Sequence, residues 1–353
     1  MLTMNTVHVI TPAYCTEANQ RLPMLLQTIQ SVKQQTWSDY VHIIVDDGSA
    51  DGPANVMDQI AENDPLLLVL HKTNGGSSAA INYGVEQGQS YSKAKYITVC
   101  HSDDLLLPDS LEIRTALAEE TGSSMVYSDA VLFNDEGRPP GMHCARYLTS
   151  ADELYTSLLR QGAGVPYLTM LWDADFFVNE IGGFDERLTS SEDWDIALRT
   201  AKTLSETDRK FAIANTFTAA KRSHDGCLRI QNVVDGTKMR CYELILGKHL
   251  TGESLNIAME RVHKTRLAGP RLSRRIKFWI RSPQRPKLVR GSIQISRGIL
   301  NSLRMRGLRS MLGLREVKPE GNGIDTEIVM FLDEMERFTP ETLLPCGFKF
   351  NAA

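Results

Sequence analysis

The apolar positions of this chain come in two rhythms. Residues 7–10 (Val-His-Val-Ile), 41–45 (Val-His-Ile-Ile-Val), 66–70 (Leu-Leu-Leu-Val-Leu) and 96–100 (Tyr-Ile-Thr-Val-Cys) are short, nearly continuous apolar runs. Runs of that length read as strands buried on both faces. Between them the spacing becomes helical. Leu22, Leu25, Leu26, Ile29 and Val32 share one face of a helix reaching about Gln35. Further helices are expected around 55–63 and from Ser77 through Val85. Strand and helix alternate, β-α-β-α-β-α-β, which predicts a parallel, doubly covered sheet with right-handed crossovers. After Pro108 the pattern loosens. It predicts a helix near 110–120, a strand at 124–133, a polar loop with Pro139-Pro140-Gly141 and a short helix through Leu154, Leu158 and Leu159. A strand at 165–171, helices at 173–180 and 191–201 and a strand at 211–217 follow, and from about Gly236 the chain turns helical and then basic.

The expected strands end in polar residues that can do chemistry. Open α/β sheets hold ligands at the carboxyl edge of their strands. The fourth strand runs into His101-Ser102-Asp103-Asp104, and two adjacent carboxylates repel each other unless a cation sits between them. Hard divalent cations take such oxygens, although a solvated turn fits this stretch equally well. Asp47, before a Gly turn, is placed to accept a hydrogen bond from a base N–H or to make a plain Asp-Gly turn, while Asp46 faces its own turn. Tyr14 can stack on a base or pack half-buried. Asn74-Gly75-Gly76 allows close approach of a ligand and offers free N–H groups at a helix start, or is a simple loop. Glu192-Asp193-Trp194-Asp195 opens a helix: either a carboxylate here serves as general base, or Ser190 or Ser191 caps the helix and the acids suit its positive end.

Composition narrows the class. The chain has 353 residues, 42% hydrophobic and 23% charged, as expected of a soluble globular protein with one large domain plus an appendage, or two domains. Six scattered cysteines without C-x-x-C spacing argue against a zinc site or a disulfide framework and for a reducing compartment. No basic-then-apolar leader and no run of about 18 apolar residues is present, so neither a signal peptide nor a membrane span is expected. The net charge of −4 hides an asymmetry. Roughly sixteen Lys and Arg and no acid lie between Arg261 and Arg315, leaving about −20 on the rest.

The motifs taken in series resemble a known family. Thr11-Pro12-Ala13-Tyr14, Val45-Asp46-Asp47-Gly48-Ser49-Ala50-Asp51, Asn74-Gly75-Gly76, Ser102-Asp103-Asp104, Gly182-Gly183-Phe184-Asp185-Glu186 and Glu192-Asp193-Trp194-Asp195 resemble, in order and spacing over about residues 5–230, the inverting family 2 glycosyltransferases of GT-A fold. The resemblance implies a GT-A domain over 1–235, with a donor half to about 104 and an acceptor half to 235, and a helical, basic region with an acidic tail over 236–353. It implies a nucleotide-diphosphate sugar as donor, UDP by default because of Asp47, and a glycan or lipid-linked acceptor in surface polysaccharide synthesis. Pro12, Tyr14, Glu17, Asp47, Asn74, Gly75, Gly76 and Asp103 would bind the donor. Asp104 and Asp103, with His224 and His101 as further candidates, would hold Mn²⁺ or Mg²⁺. Asp193 would be the general base, with Glu192 and Trp194 on the acceptor side, where Trp194 stacks on a sugar face or belongs to the core. Two departures stand out: His101 occupies the position of the family's first aspartate in Asp-x-Asp-Asp, and Ile81-Asn82 replaces an Arg-Asn pair. They motivate an alternative, a catalytically degenerate nucleotide- or sugar-binding scaffold. An oxidoreductase is disfavoured because no G-x-G-x-x-G follows the first strand.

In the basic region Leu272, Ile276, Trp279 and Ile280 share a helical face while Arg271, Arg274, Arg275, Lys277 and Arg281 lie elsewhere. That pattern fits a helix on an anionic membrane, hence a cytoplasmic enzyme peripheral to the membrane. Packing or oligomer contacts remain open for 292–314, and nucleic acid is not expected as a partner.

Overall fold

The computed structural model describes residues 6–16, 18–133, 141–143, 148–161, 165–222, 237–260 and 262. Glu17, His224 and nearly all of the basic and acidic C-terminal stretches lie outside the described residues. The chain divides into two compact units, with the boundary after Lys238. Everything below concerns the first.

Strands β1 (Val7–Ala13), β2 (Tyr40–Asp46), β3 (Leu67–His71) and β4 (Tyr96–Val99) pair in parallel in the order β3-β2-β1-β4. They alternate with helices α1 (Leu22–Lys33), α2 (Asp51–Ala61) and α3 (Ser77–Tyr91). This is the alternation expected from the apolar runs. β1 is buried along its whole length and β2 at all but one position, which is why these strands lack a polar face. Pro12 stands beyond the last β1–β4 pair, Ile10 with Val99, where its missing N–H costs no bond to β4. Gly84 lets α3 press on this sheet: a Cβ there would come within 2.7 Å of Val45 and 2.9 Å of Ile10.

The second half holds β5 (Leu105–Leu106), α4 (Ser110–Thr121), β6 (Met125–Phe133), β7 (Gly141–His143), α5 (Ala151–Gln161), β8 (Leu171–Asp173), α6 (Glu192–Glu206) and β9 (Phe211–Arg222). The sheet continues from β4 through β8, β6, β9 and β5, with β7 on β6. Here the strands are mixed: β8 is antiparallel to β4 and β6, β6 is parallel to β9, and β5 is antiparallel to β9. The strand expected at 165–171 is absent. Tyr167–Thr169 is a 3₁₀ turn, closed where the Thr169 hydroxyl and N–H both donate to the Pro166 carbonyl, at 2.6 and 2.9 Å. The helix expected at 173–180 is mostly a π-helical turn over Phe176–Ile181. β9 runs five residues past its expected end, because bulges around Asp129 keep it in register with β6 as far as Phe133 and Arg222.

The polar face of α1 looks solvent-facing in the sequence and is buried instead. Thr28 and Ser31, with Gln35 just past the helix, hold the segment that follows β4, while Gln27 meets Arg222 of β9. The Thr28 hydroxyl donates to the Asp104 carbonyl (2.8 Å), Ser31 Oγ accepts the Leu106 N–H (3.2 Å), and Gln35 bonds the Leu107 carbonyl and the Leu111 N–H. A loop carrying two carboxylates is thereby fixed by uncharged side chains.

Candidate active site

The first cluster lies at the ends of β1, β2 and β3. Asp47 is 4% exposed, and its N–H is bound by the Ala13 carbonyl. Its carboxylate accepts the Gly75 N–H on Oδ1 and the Gly76 N–H on Oδ2, both at 2.8 Å, and pairs with Lys72 Nζ at 2.8 Å. Asn74 Nδ2 donates to the Asp47 carbonyl. The two glycine amides expected to be free for an anion are therefore engaged by Asp47. Lys72 is held there as well. A carboxylate has about four acceptor sites, so Asp47 keeps capacity for one more donor. Tyr14 follows β1 with 45% of its surface exposed, enough to offer a ring face. Asp46 serves its own turn as expected, accepting the Ser49 N–H at 2.8 Å.

The second cluster follows β4. Asp104 is buried, and its Oδ1 accepts the Arg222 N–H at 2.9 Å. Burial and the neighbouring Asp103 charge push its carboxyl up to about 7, against Lys221 and the Arg222 N–H. Arg222 also donates from Nε to the Asp103 carbonyl (2.9 Å) and from Nη2 to Gln27, with its guanidinium over the Phe133 ring. His101 lies against Tyr167, ring centroids 5.5 Å apart, and burial lowers its pKa. Among the described residues no group of three His, Cys, Asp or Glu side chains is gathered to hold a metal. His101 is thus not gathered with both aspartates into such a group, and its ring packs on Tyr167.

The third cluster opens α6. Ser191 precedes it in the left-handed region (φ 64°) and makes no side-chain cap bond, which corrects the capping alternative. A non-glycine residue held there is strained, by about 1 kcal/mol or more. The turn sets Asp193 so that its Oδ1 accepts the Trp194 N–H at 2.8 Å. Burial and the Asp193 charge raise the Glu192 carboxyl to about 7, opposed by Lys221. Trp194 is 8% exposed and its Nε1 donates to the Leu158 carbonyl of α5 at 3.0 Å. It belongs to the core, which corrects its assignment to the acceptor side: little of the ring is left to meet a sugar.

One buried tyrosine lies where the second and third clusters meet. Tyr167 packs on His101, on Trp172 and edge-on against Phe184. Burial holds its hydroxyl well above its usual pKa, and the charges of Glu192, Asp193 and Asp104 all add to that. The charges of Asp193 and Lys221 likewise reach His101. The two acidic pairs, 88 positions or more apart in the chain, thus both lie near the Tyr167–His101 ring pair. The Tyr167 hydroxyl is buried without a hydrogen-bond partner among the described residues. Tyr167→Phe is therefore expected to be neutral or stabilising by up to about 1 kcal/mol in urea denaturation. A loss larger than that would mean the hydroxyl has a partner in solution.

Asn82 joins the halves. Its Nδ2 donates to the Phe184 carbonyl and to Glu186, and its Oδ1 accepts the Phe184 N–H at 2.8 Å. Gly183 (φ 70°) makes this approach feasible, since a Cβ would sit 2.7 Å from Asn82 Oδ1. Arg199 secures the same turn, bonding Asp195 on its own helix and the carbonyls of Ile181 and Gly183. Nothing local in the sequence singles out Tyr167 or Arg199, whereas Lys221 and Arg222 stand out as the basic start of the stretch that leads to His224.

This architecture, a parallel nucleotide-type sheet extended by mixed strands with acidic loops on its carboxyl edge, is the GT-A fold. Among solved structures it is similar to S. aureus TarS 1–349 in complex with UDP-GlcNAc: TM-score 0.54 at 16% identity, covering 72% of this chain and 70% of that one. The family described as glycosyl transferase family 2 matches residues 8–165. An uncharacterized glycosyltransferase of Rickettsia felis is 31% identical over 132 residues, 37% of this chain and 20% of the relative. Glycosyltransferase GlyG of Streptococcus pneumoniae is 30% identical over 121 residues, 34% and 37% of the two chains. The uncharacterized glycosyltransferase EpsJ of Bacillus subtilis is 26% identical over 194 residues, 53% of each. The chain thus spans about a fifth to about a half of the length of these curated relatives. Over this stretch the chain is similar to the family 2 glycosyltransferases.

Proposed function

We propose that the protein is an inverting glycosyltransferase that moves a sugar from a nucleotide-diphosphate sugar, a UDP-sugar in the first instance, to a hydroxyl of a glycan or lipid-linked acceptor. What supports this reading is that Asp103, Asp104, Glu192 and Asp193 all act electrostatically on one packed ring pair, Tyr167 and His101. A displacement at an anomeric carbon needs charge control on the leaving side and a base on the attacking side. Asp193 takes the proton from the acceptor hydroxyl as its oxygen attacks. A single displacement, with no covalent sugar on the protein, inverts the anomeric configuration. Asp47 accepts from the base and Tyr14 lies along it, at the strand ends where such sheets bind nucleotides.

A divalent cation is in keeping with the donor set. Asp103 and Asp104 offer hard oxygens, and an Asp104 carboxyl pushed to about 7 is one that a neighbouring cation would bring back to its ionised form. These two residues would hold Mn²⁺ or Mg²⁺, which when bound would neutralise the charge developing on the leaving diphosphate. Lys221, whose charge reaches both Asp104 and Glu192, contributes positive potential from the chain itself. Among the described residues no helix is long and apolar enough to cross a membrane.

Calorimetric titration of UDP with and without Mn²⁺ tests this. The wild type is expected to bind UDP at least about tenfold more tightly with the metal, a difference of about 1.4 kcal/mol. Asp104→Ala is expected to abolish that increment. Absence of UDP binding, or binding indifferent to both metal and substitution, would refute the reading.

A further inference from the structure

The turn that carries Asp47 is braced from behind by a histidine with no part in the chemistry above. Asp46 and His71 are the last register pair of the β2–β3 ladder. Consecutive strand residues point to opposite faces, so at the end of β3 His71 and Lys72 divide the work. Lys72 holds Asp47 on one side, while His71 reaches Asp46 on the other. His71 Nδ1 lies 2.8 Å from Asp46 Oδ2, and His71 Nε2 lies 2.8 Å from Asp58 Oδ1 on α2. The second Asp46 oxygen accepts the Ser49 N–H, Ser49 Oγ accepts the Cys15 N–H at 2.8 Å, and the Asp46 carbonyl accepts the Lys72 N–H. One ring therefore links α2 to the Asp46–Ser49 turn, and through that turn to the end of β1 beside Tyr14.

Ionised carboxylates only accept hydrogen bonds, and a neutral imidazole has a single N–H. With a carboxylate on each nitrogen, both bonds require the imidazolium. We propose that His71 is a positioning residue for the nucleotide: as a cation clamped between Asp46 and Asp58 it keeps the Asp46–Ser49 turn, and with it Asp47, in the arrangement that binds the base. This role rests on the nucleotide-site reading given above and adds a pH dependence to it. The groups facing the ring are Asp46 from β2 and Asp58 from α2, with the Lys72–Asp47 pair adjacent. The hydrogen bonds to Asp46 and then Asp58 raise the His71 pKa, partial burial opposes them, and the two negative charges add to the rise. A histidine whose pKa is raised on folding contributes fully below its unfolded value. That contribution is lost as pH climbs through the folded value. Above it, one nitrogen turns a lone pair towards a carboxylate and the brace opens.

The test is UDP affinity by calorimetry from pH 7 to pH 8.5, a range in which the UDP phosphates stay ionised and the uracil N–H keeps its proton. The wild type is expected to lose about three- to tenfold in affinity across it, the order of one charge-assisted hydrogen bond discounted for the exposure of the ring. His71→Gln, which can satisfy only one carboxylate, is expected to start weaker and stay flat, and Asp58→Asn to shift the wild-type midpoint to lower pH. In parallel, ¹⁵N signals of the His71 ring are expected to show the cation at pH 7. Parallel pH profiles for wild type and His71→Gln, or a neutral ring at pH 7, overturn this role while leaving the nucleotide site intact. A wild type without UDP affinity at any pH overturns the nucleotide site and the role together.

Discussion

Asp193→Asn is expected to lower kcat for sugar transfer by about 10²–10⁴-fold, the range associated with removal of a general base. The substitution is close to isosteric. An asparagine Oδ1 still accepts the Trp194 N–H that Asp193 binds at 2.8 Å, so the first turn of α6 and the strained Ser191 before it are retained. In this reading Asp193 holds neither the nucleotide base nor the metal, so UDP binding is expected to change less than twofold. The combination of lost turnover, kept donor affinity and an unchanged thermal midpoint separates a base from a structural carboxylate. Removing the Asp193 charge also removes one of the causes that hold Glu192 near 7, so Glu192 in the variant titrates lower. A kcat within tenfold of the wild type would transfer the base role elsewhere, with Glu192 next in line.

The second large effect concerns stability. Arg114, on α4, is wholly buried and is pushed down to about 10 by that burial. Its guanidinium donates to Ser110 Oγ (2.8 Å), Thr98 Oγ1 (2.9 Å) and the Thr169 carbonyl (3.1 Å), and its Nε to the Ser110 carbonyl (3.1 Å). It therefore fastens α4 to β4 and to the 3₁₀ turn that presents Tyr167. Arg114→Met keeps much of the volume and strands several of these acceptors in the core. A loss of about 3 kcal/mol or more is expected, measured as a lowered urea midpoint with little change in slope. Because β4 leads into Asp103-Asp104, residual activity of the folded variant is expected to fall too. A loss below about 1 kcal/mol would mean that water replaces the guanidinium at this site.

The contrast between Asp193 and Arg114 shows which features could be read in advance. Asp47, Asp103-Asp104 and Asp193 stand out in the chain because each follows a recognisable local signal: an apolar run, a glycine turn, an acidic helix start. Arg114 has no such signal, since an arginine in a helix ordinarily faces water. The same holds for Thr28 and Ser31 of α1 and for Gln35 just past it, buried against the loop after β4. His71 ends an apolar run, and nothing in its neighbours reveals the two carboxylates it meets 25 and 13 positions away. The Gly75 and Gly76 amides illustrate the reverse. Their place at a helix start was legible, and their partner, Asp47, was not.

What the chain determined by itself is the alternation of buried strands and helices up to residue 104 and the acidic ends of those strands, because local periodicity and turn chemistry set both. Tertiary structure alone decided the order in which β8, β6, β9 and β5 extend the sheet. It also decided the conversion of Trp194 from a ligand candidate into core, and the nearness of both Asp104 and Asp193 to Tyr167. Those outcomes depend on contacts between segments far apart in the chain, and their energies come from burial and hydrogen bonds that no short window of residues contains.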